Sequence, residues 1–271
     1  MASISSGDGS GASFADAAFG AEPGCWPLPH PASPQQRWLR AVAAGGQGRY
    51  GDAAADLAVL RRTASGPLLS LTYSTQGSLI RQLGGHGLAR GWEGRALALA
   101  GSDVQARVDA LVGLAADALG TGRFALSSAL LVRAGQVLDA AEDAPPRLAV
   151  RMAWVGAELA MATGDGANAL KHARRGVELS GADTLGIRHV IKSNVVLAAA
   201  LCCAGQVSDA RTQADAMLEA TQRHGLVPLQ WALASLLDGI GSNTQPAARV
   251  QQIRDASAEV IRRRGGHWAV S

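Results

Sequence analysis

Gly48-Arg49-Tyr50-Gly51-Asp52-Ala53 reads as a turn running into a helix: a glycine, any residue, a hinge residue, two more, then a small residue. The pattern returns as Gly122-x-Phe124-x-x-Ser127, Gly164-x-Gly166-x-x-Ala169 and Gly205-x-Val207-x-x-Ala210. Weaker copies are Gly85-x-Gly87-x-x-Arg90 and Gly241-x-Asn243-x-x-Pro246. The spacings between the successive glycines at 48, 85, 122, 164, 205 and 241 are 37, 37, 42, 41 and 36, the range expected of a stacked repeat array.

Around these turns the chain reads as twelve helices in six pairs. The expected spans are 34–45 with 49–64, 67–83 with 86–100, 103–119 with 123–141, 146–163 with 166–180, 184–204 with 207–223, and 228–240 with 245–264. Pro67, Pro145, Pro146, Pro228 and Pro246 fall where helices begin, where a missing N–H costs nothing. Ser102 or Asp103, and Asp183 or Thr184, supply side-chain N-caps. Nine residues before each hinge stand Ala41, Ser78, Ala115, Ala157, Ala198 and Ala234, small side chains that let paired helices approach closely. Aromatic residues make up only 4% of a chain that is 48% hydrophobic, so Ala, Leu and Val must form the core, which favours helices over sheets.

The segments GRYGDAAADLAVLRR (48–62), GRFALSSALLVRA (122–134) and GDGANALKHARRGVEL (164–179) resemble tetratricopeptide repeats, and the resemblance covers residues 34–264. The repeats here run longer than the family's 34 residues. The resemblance implies an all-α, right-handed α-solenoid of about six helical hairpins whose first helices line a concave face. Positions 15, 12 and 8 residues before each hinge then face the groove. They include Trp38, Thr75, Asp109, Arg151, Trp154, Glu158, Lys192 and Trp231. Trp38, Trp154 and Trp231 share one offset, which suits either anchoring of a partner or filling of gaps between small-residue helices. Arg151 and Lys192 beside them suit an acidic peptide. The lysine, arginine and asparagine set of the family's carboxylate clamp is missing, since the first two repeats offer Gln35, Trp38, Thr72 and Thr75.

Residues 1–33 are rich in Ser, Gly, Ala and Pro and read as a disordered tail, or as a segment whose Phe14, Phe19 and Trp26 dock on a groove of this or another molecule. Residues 265–271 read as a short basic C-terminal tail behind Arg262, Arg263 and Arg264. The net charge of +3 fits a solvated basic surface or, as an alternative, contact with nucleic acid or a nucleic-acid-bound protein.

Three cysteines, Cys25, Cys202 and Cys203, odd in number and two of them adjacent, read against a disulfide framework, and the expectation from the sequence is a chain without a secretory signal or a membrane-spanning run. The histidines lack metal-ligand spacing, and Gly84-Gly85-His86-Gly87 lacks the Lys-Ser or Lys-Thr of a phosphate loop. The expectation is a cytoplasmic, non-enzymatic adaptor or regulator without metal or cofactor that holds a protein or peptide in its groove. Self-association through the N-terminal aromatics or an uncapped end repeat is a further reading.

Overall fold

In the computed structural model, residues 13–181 and 185–269 are described. Among them are thirteen α-helices and no strand. They are α1 (Phe14–Phe19), α2 (Pro34–Gly46), α3 (Tyr50–Thr63), α4 (Gly66–Gln82), α5 (His86–Leu99), α6 (Val104–Gly120), α7 (Phe124–Asp139), α8 (Arg147–Ala162), α9 (Gly166–Gly181), α10 (Ile187–Cys203), α11 (Val207–Arg223), α12 (Val227–Ile240) and α13 (Ala247–Arg263). From α2 onward the bounds fall within three residues of those read from the sequence.

The glycine turns explain the regularity. Gly48 has φ +72, a left-handed conformation that other residues rarely adopt. Its amide donates to Gly45 O at 3.1 Å, and the next amide, Arg49 N, donates to Ala44 O at 2.9 Å. That pair of bonds satisfies carbonyls left open at the end of α2 and turns the chain at once into α3. The same arrangement follows α6 at Gly122, α8 at Gly164 and α10 at Gly205.

After α4 the left-handed glycine is Gly84, at φ +86, while Gly85 precedes His86 at the start of α5. The sequence register in that repeat is therefore one residue late, because two adjacent glycines offered two choices and only one amide pattern closes the helix. The small residue nine before the corrected hinge becomes Gly77 instead of Ser78, and Gly77 is buried against Glu93. Asn243 lies in a longer loop, and α13 begins only at Ala247. Asp103 caps α6 through Ala106 N at 2.8 Å, Gly186 precedes α10, and the alternative caps Asp183 and Thr184 lie outside the described residues.

Consecutive helices pack on one another along the whole chain, and each even-numbered helix from α2 to α12 also meets the next even-numbered one. The odd-numbered helices from α3 onward pack chiefly on the even-numbered helices flanking them. The positions at the helix crossings, Ala41, Ala115, Ala157, Ala198 and Ala234, are fully buried.

Both ends differ from the tails expected. Residues 1–12 lie outside the described residues, but residues 13–33 form α1 and an extended segment packed on α2 and α10. Ala17, Ala18 and Leu28 join the core, and Gln47 Nε2 donates to Pro23 O at 2.9 Å and to Cys25 O at 3.1 Å. Proline-rich backbone lacks donors but keeps its carbonyls, and Gln47 and Arg40 satisfy them from the helices. At the other end Gly265 and Gly266 turn the chain back, so that Ala269 N donates to Leu83 O at 2.8 Å. Trp268 packs on Trp231 with ring centroids 4.4 Å apart, and Ile261 of α13 belongs to the same core cluster as Tyr50 and Leu57 of α3. Apolar burial by these aromatics outweighs the ordering of two short segments.

Candidate functional site

The even-numbered helices surround an interior cavity of about 530 Å³. All seven side chains expected at a partner groove, Trp38, Thr75, Arg151, Trp154, Glu158, Lys192 and Trp231, line it. They come from α2, α4, α8, α10 and α12, and Arg151, Trp154 and Glu158, three and four residues apart, share one face of α8. Gln35 and Thr72, from the same offsets, do not line the cavity.

The three tryptophans are held differently. Trp38 is 4% exposed, and its indole N–H donates to Thr75 Oγ1 at 3.0 Å, so it is core as well as wall. Trp154 donates to Ser193 Oγ at 2.9 Å and stacks on His189 at 5.6 Å, with the Lys192 ammonium 5.9 Å from its ring centre. Trp231 leans on Trp268 of the folded-back terminus. The N–H donors of Trp38 and Trp154 are thus used internally, and these indoles offer apolar faces.

The cationic side of the cavity is built from α6, α8 and α10. Asp109 accepts from Arg147 through both its carboxylate oxygens and from Arg151 through one. Burial pushes the Asp109 carboxyl up, yet the two guanidiniums outweigh it and hold the group below the usual carboxylate range. Arg188 has no carboxylate within 4 Å among the described residues. Burial, with Arg147 and Arg151 nearby, lowers its guanidinium to about 10. His189 is pushed down to about 2 by burial and by Arg188, Arg147 and Arg151, so it is neutral, and its Nδ1 has no hydrogen-bond partner. Lys192 Nζ lies 3.4 Å from Glu158, and both are about a third exposed.

A second charged group lies behind α4. Arg81 pairs with Glu93 at 2.9 Å and Asp117 at 2.6 Å, and Ser74 Oγ donates to Glu93 at 2.8 Å. Burial raises the Glu93 carboxyl to about 7 against the pull of Arg81.

Phe19 of α1 enters the same cavity. Its ring lies 5.7 Å from Trp38 and 6.0 Å from His189, with the Arg147 and Arg188 guanidiniums 5.1 and 5.8 Å from its centre. Just beyond it, Ile187 N donates to Gly20 O at 3.2 Å. Of the two readings of the N-terminal aromatics, docking on the groove of the same chain describes Phe19.

Arg81, Arg147, Arg188 and His189 were not among the expected groove residues. Arg147 and Arg188 carried a usable signal: each lies four residues, about one helical turn, before Arg151 and Lys192 and so shares their face. Phe19 carried none, since nothing in a Ser/Gly/Pro-rich segment fixes where it docks. Among the described residues no three His, Cys, Asp or Glu side chains converge as metal ligands, and Cys25, Cys202 and Cys203 are free thiols. No helix among them is long and apolar enough to cross a membrane. No protein-family model matches the chain and no curated protein is significantly similar to it, so the functional reading rests on the geometry of this cavity.

Proposed function

We propose that α2–α13 form a right-handed solenoid of six tetratricopeptide-like hairpins and that the protein is a non-catalytic adaptor or regulator, binding a peptide or protein segment along the inner face of its even-numbered helices. The packing of even helices on even helices supports the solenoid, because that is how the first helices of successive hairpins meet. The single observation that carries the function is the chain's own segment 13–31. An aromatic side chain, Phe19, sits between Trp38 and His189, and backbone carbonyls at Gly20, Pro23, Cys25 and Pro29 are held by Ile187, Gln47 and Arg40. Main-chain capture gives affinity and the aromatic pocket gives selectivity, as in other extended-peptide sites. A partner segment of similar chemistry would exchange with residues 13–31.

Arg81, Arg147, Arg151 and Arg188 face inward, and the exposed Arg175, Arg223, Arg262 and Arg263 each have a glutamate neighbour. The inward group is closed to an outside polyanion, but Arg62, Arg90, Arg95, Arg123, Arg133, Lys171 and Arg174 are exposed with no ion-pair partner among the described residues, so contact with nucleic acid stays as the alternative, and salt-dependent binding of DNA or RNA tests it.

The test uses a chain cleaved at a protease site inserted at Ala32 and challenged with a fluorescent peptide of residues 13–31. Saturable exchange is expected, with the Phe19→Ala peptide at least about tenfold weaker. Failure of any labelled peptide to bind a cleaved chain that keeps its helical circular dichroism, after its own segment has left, would reject the reading.

A further inference from the structure

We infer that the interior cavity is a binding site for a small organic anion, a carboxylate or phosphate carried on an apolar, ring-sized body. The inference is made with residues 13–31 in place and does not depend on partner exchange.

Charge is the first argument. On the wall formed by α6, α8 and α10, three guanidiniums, Arg147, Arg151 and Arg188, face one carboxylate, Asp109. Both Asp109 oxygens are already engaged by Arg147 and Arg151. Lys192 is matched by Glu158, and Arg81 by Glu93 and Asp117. Among the described residues the wall therefore keeps an excess of positive charge centred on Arg188, which donates to the Val42 carbonyl at 3.4 Å and lies over the Phe19 ring. The docked segment does not supply the missing anion, because its Asp16 and Glu22 side chains are exposed and make no pair with these arginines. Like charges gathered in a partly desolvated site without a counter-ion are costly, and a bound anion relieves that cost.

Hydrogen bonding points the same way. His189 is 3% exposed, neutral, and lines the cavity with Nδ1 unpartnered. A turn of the ring that brings Nδ1 to an oxyanion held by Arg188 would give this enclosed atom the partner it lacks among the described residues.

Shape sets the class of ligand. The α2 and α12 walls contribute no charge; they present Trp38, Val42, Pro228, Leu229 and Trp231. A cavity of about 530 Å³ lies in the range of small-molecule sites. Guanidiniums recognise planar carboxylates and phosphates through paired N–H bonds, while the indoles take an apolar ring.

The full chain is titrated by calorimetry and by tryptophan fluorescence with benzoate, phenyl phosphate, inorganic phosphate and the neutral isostere benzamide at constant ionic strength. Saturable binding of benzoate or phenyl phosphate is expected, with benzamide at least about tenfold weaker. The stronger of the two identifies carboxylate or phosphate as the preferred head group, and inorganic phosphate binding more weakly than phenyl phosphate supports the apolar walls. Arg188→Met should lower affinity for the organic anions about tenfold or more, whereas Arg175→Ala, an exposed residue of α9, should not. The comparison of benzoate with benzamide needs no variant and stands even if Arg188→Met misfolds. Equal response to benzamide, no saturation with any anion, or affinity unchanged in a folded Arg188→Met would overturn the assignment.

Discussion

The backbone amide of Gly51 donates to the carbonyl of Arg264 at 2.8 Å, joining the start of α3 to the end of α13. The Arg264 guanidinium adds a bond to Gln47 O at 2.8 Å, and Ile261 and Pro228 lie against Gly48. The two ends of the helical array thus meet, and the cavity between the even-numbered helices is partly enclosed.

Trp268 packs the returning C-terminal segment on α12 beside this seam. Trp268→Ala removes the tilted ring pair with Trp231 and should cost ~2–4 kcal/mol in urea unfolding. Loss of the seam should also speed hydrogen exchange at the amides of Gly51 and Ala269, while amides of α6 to α8 stay protected. Uniform acceleration across all helices would contradict a local seam.

Phe19 anchors the N-terminal segment. Phe19→Ala should leave the helical circular dichroism intact but speed exchange at the Ile187 amide, which bonds Gly20 O, and expose residues 20–33 to proteolysis. Unchanged protection at Ile187 would mean that Ala17, Ala18 and Leu28 hold the segment without the ring.

Two buried groups should give opposing pH dependence. His189, lowered to about 2, stays neutral in the fold while the unfolded chain takes a proton below about 6.5, so its share of stability is full above that pH and is lost as pH falls. Glu93, raised to about 7, is the reverse: its share is full below the unfolded value of 4.5 and is lost as pH rises towards 7. Between pH 4.5 and 6.5 the slopes oppose, each with a limit of about 1.4 kcal/mol per pH unit. Denaturation across this window should show stability falling with acid in Glu93→Gln and rising with acid in His189→Phe, both relative to the flatter parent. Parallel curves for all three chains would reject the assignment.

Glycines in the helices should separate by environment. A Cβ at Gly113 would fall on the Glu93 carboxylate, which Arg81 and Ser74 fix, so Gly113→Ala should destabilise by ~2 kcal/mol or more. Gly91 and Gly94 in α5 have nothing within 4 Å of an added Cβ, and alanine there should stabilise by ~0.5–1 kcal/mol each. Thermal unfolding of the three single variants decides it.

Breaking the Arg81 group from the cationic side should be more severe. Arg81→Met strands Glu93 and Asp117 as buried carboxylates and should cost ~3–5 kcal/mol. Chemical denaturation of a variant that retains near-parent stability would show that water, not Arg81, compensates these acids.

The sequence by itself determined α2 to α13, because left-handed glycines, prolines at helix starts and the 3.6-residue period are local constraints, whereas α1 falls in a segment that reads as a tail. It also placed Trp38, Thr75, Arg151, Trp154, Glu158, Lys192 and Trp231 on one side, since equal offsets in equivalent helices share a face. The Gly84-Gly85 pair shows the limit of that reading, for the choice between them depends on which amide reaches Ile80 O, and Gly85 N does so at 3.0 Å. Only the tertiary structure decided that α13 returns to α3, that Phe19 lies between Trp38 and His189, and that Arg188 gathers beside Arg147 and Arg151 with no carboxylate of its own among the described residues. Those contacts join segments that are not neighbours in the chain, and they depend on how small rotations between successive helices add up, a sum that no local pattern records.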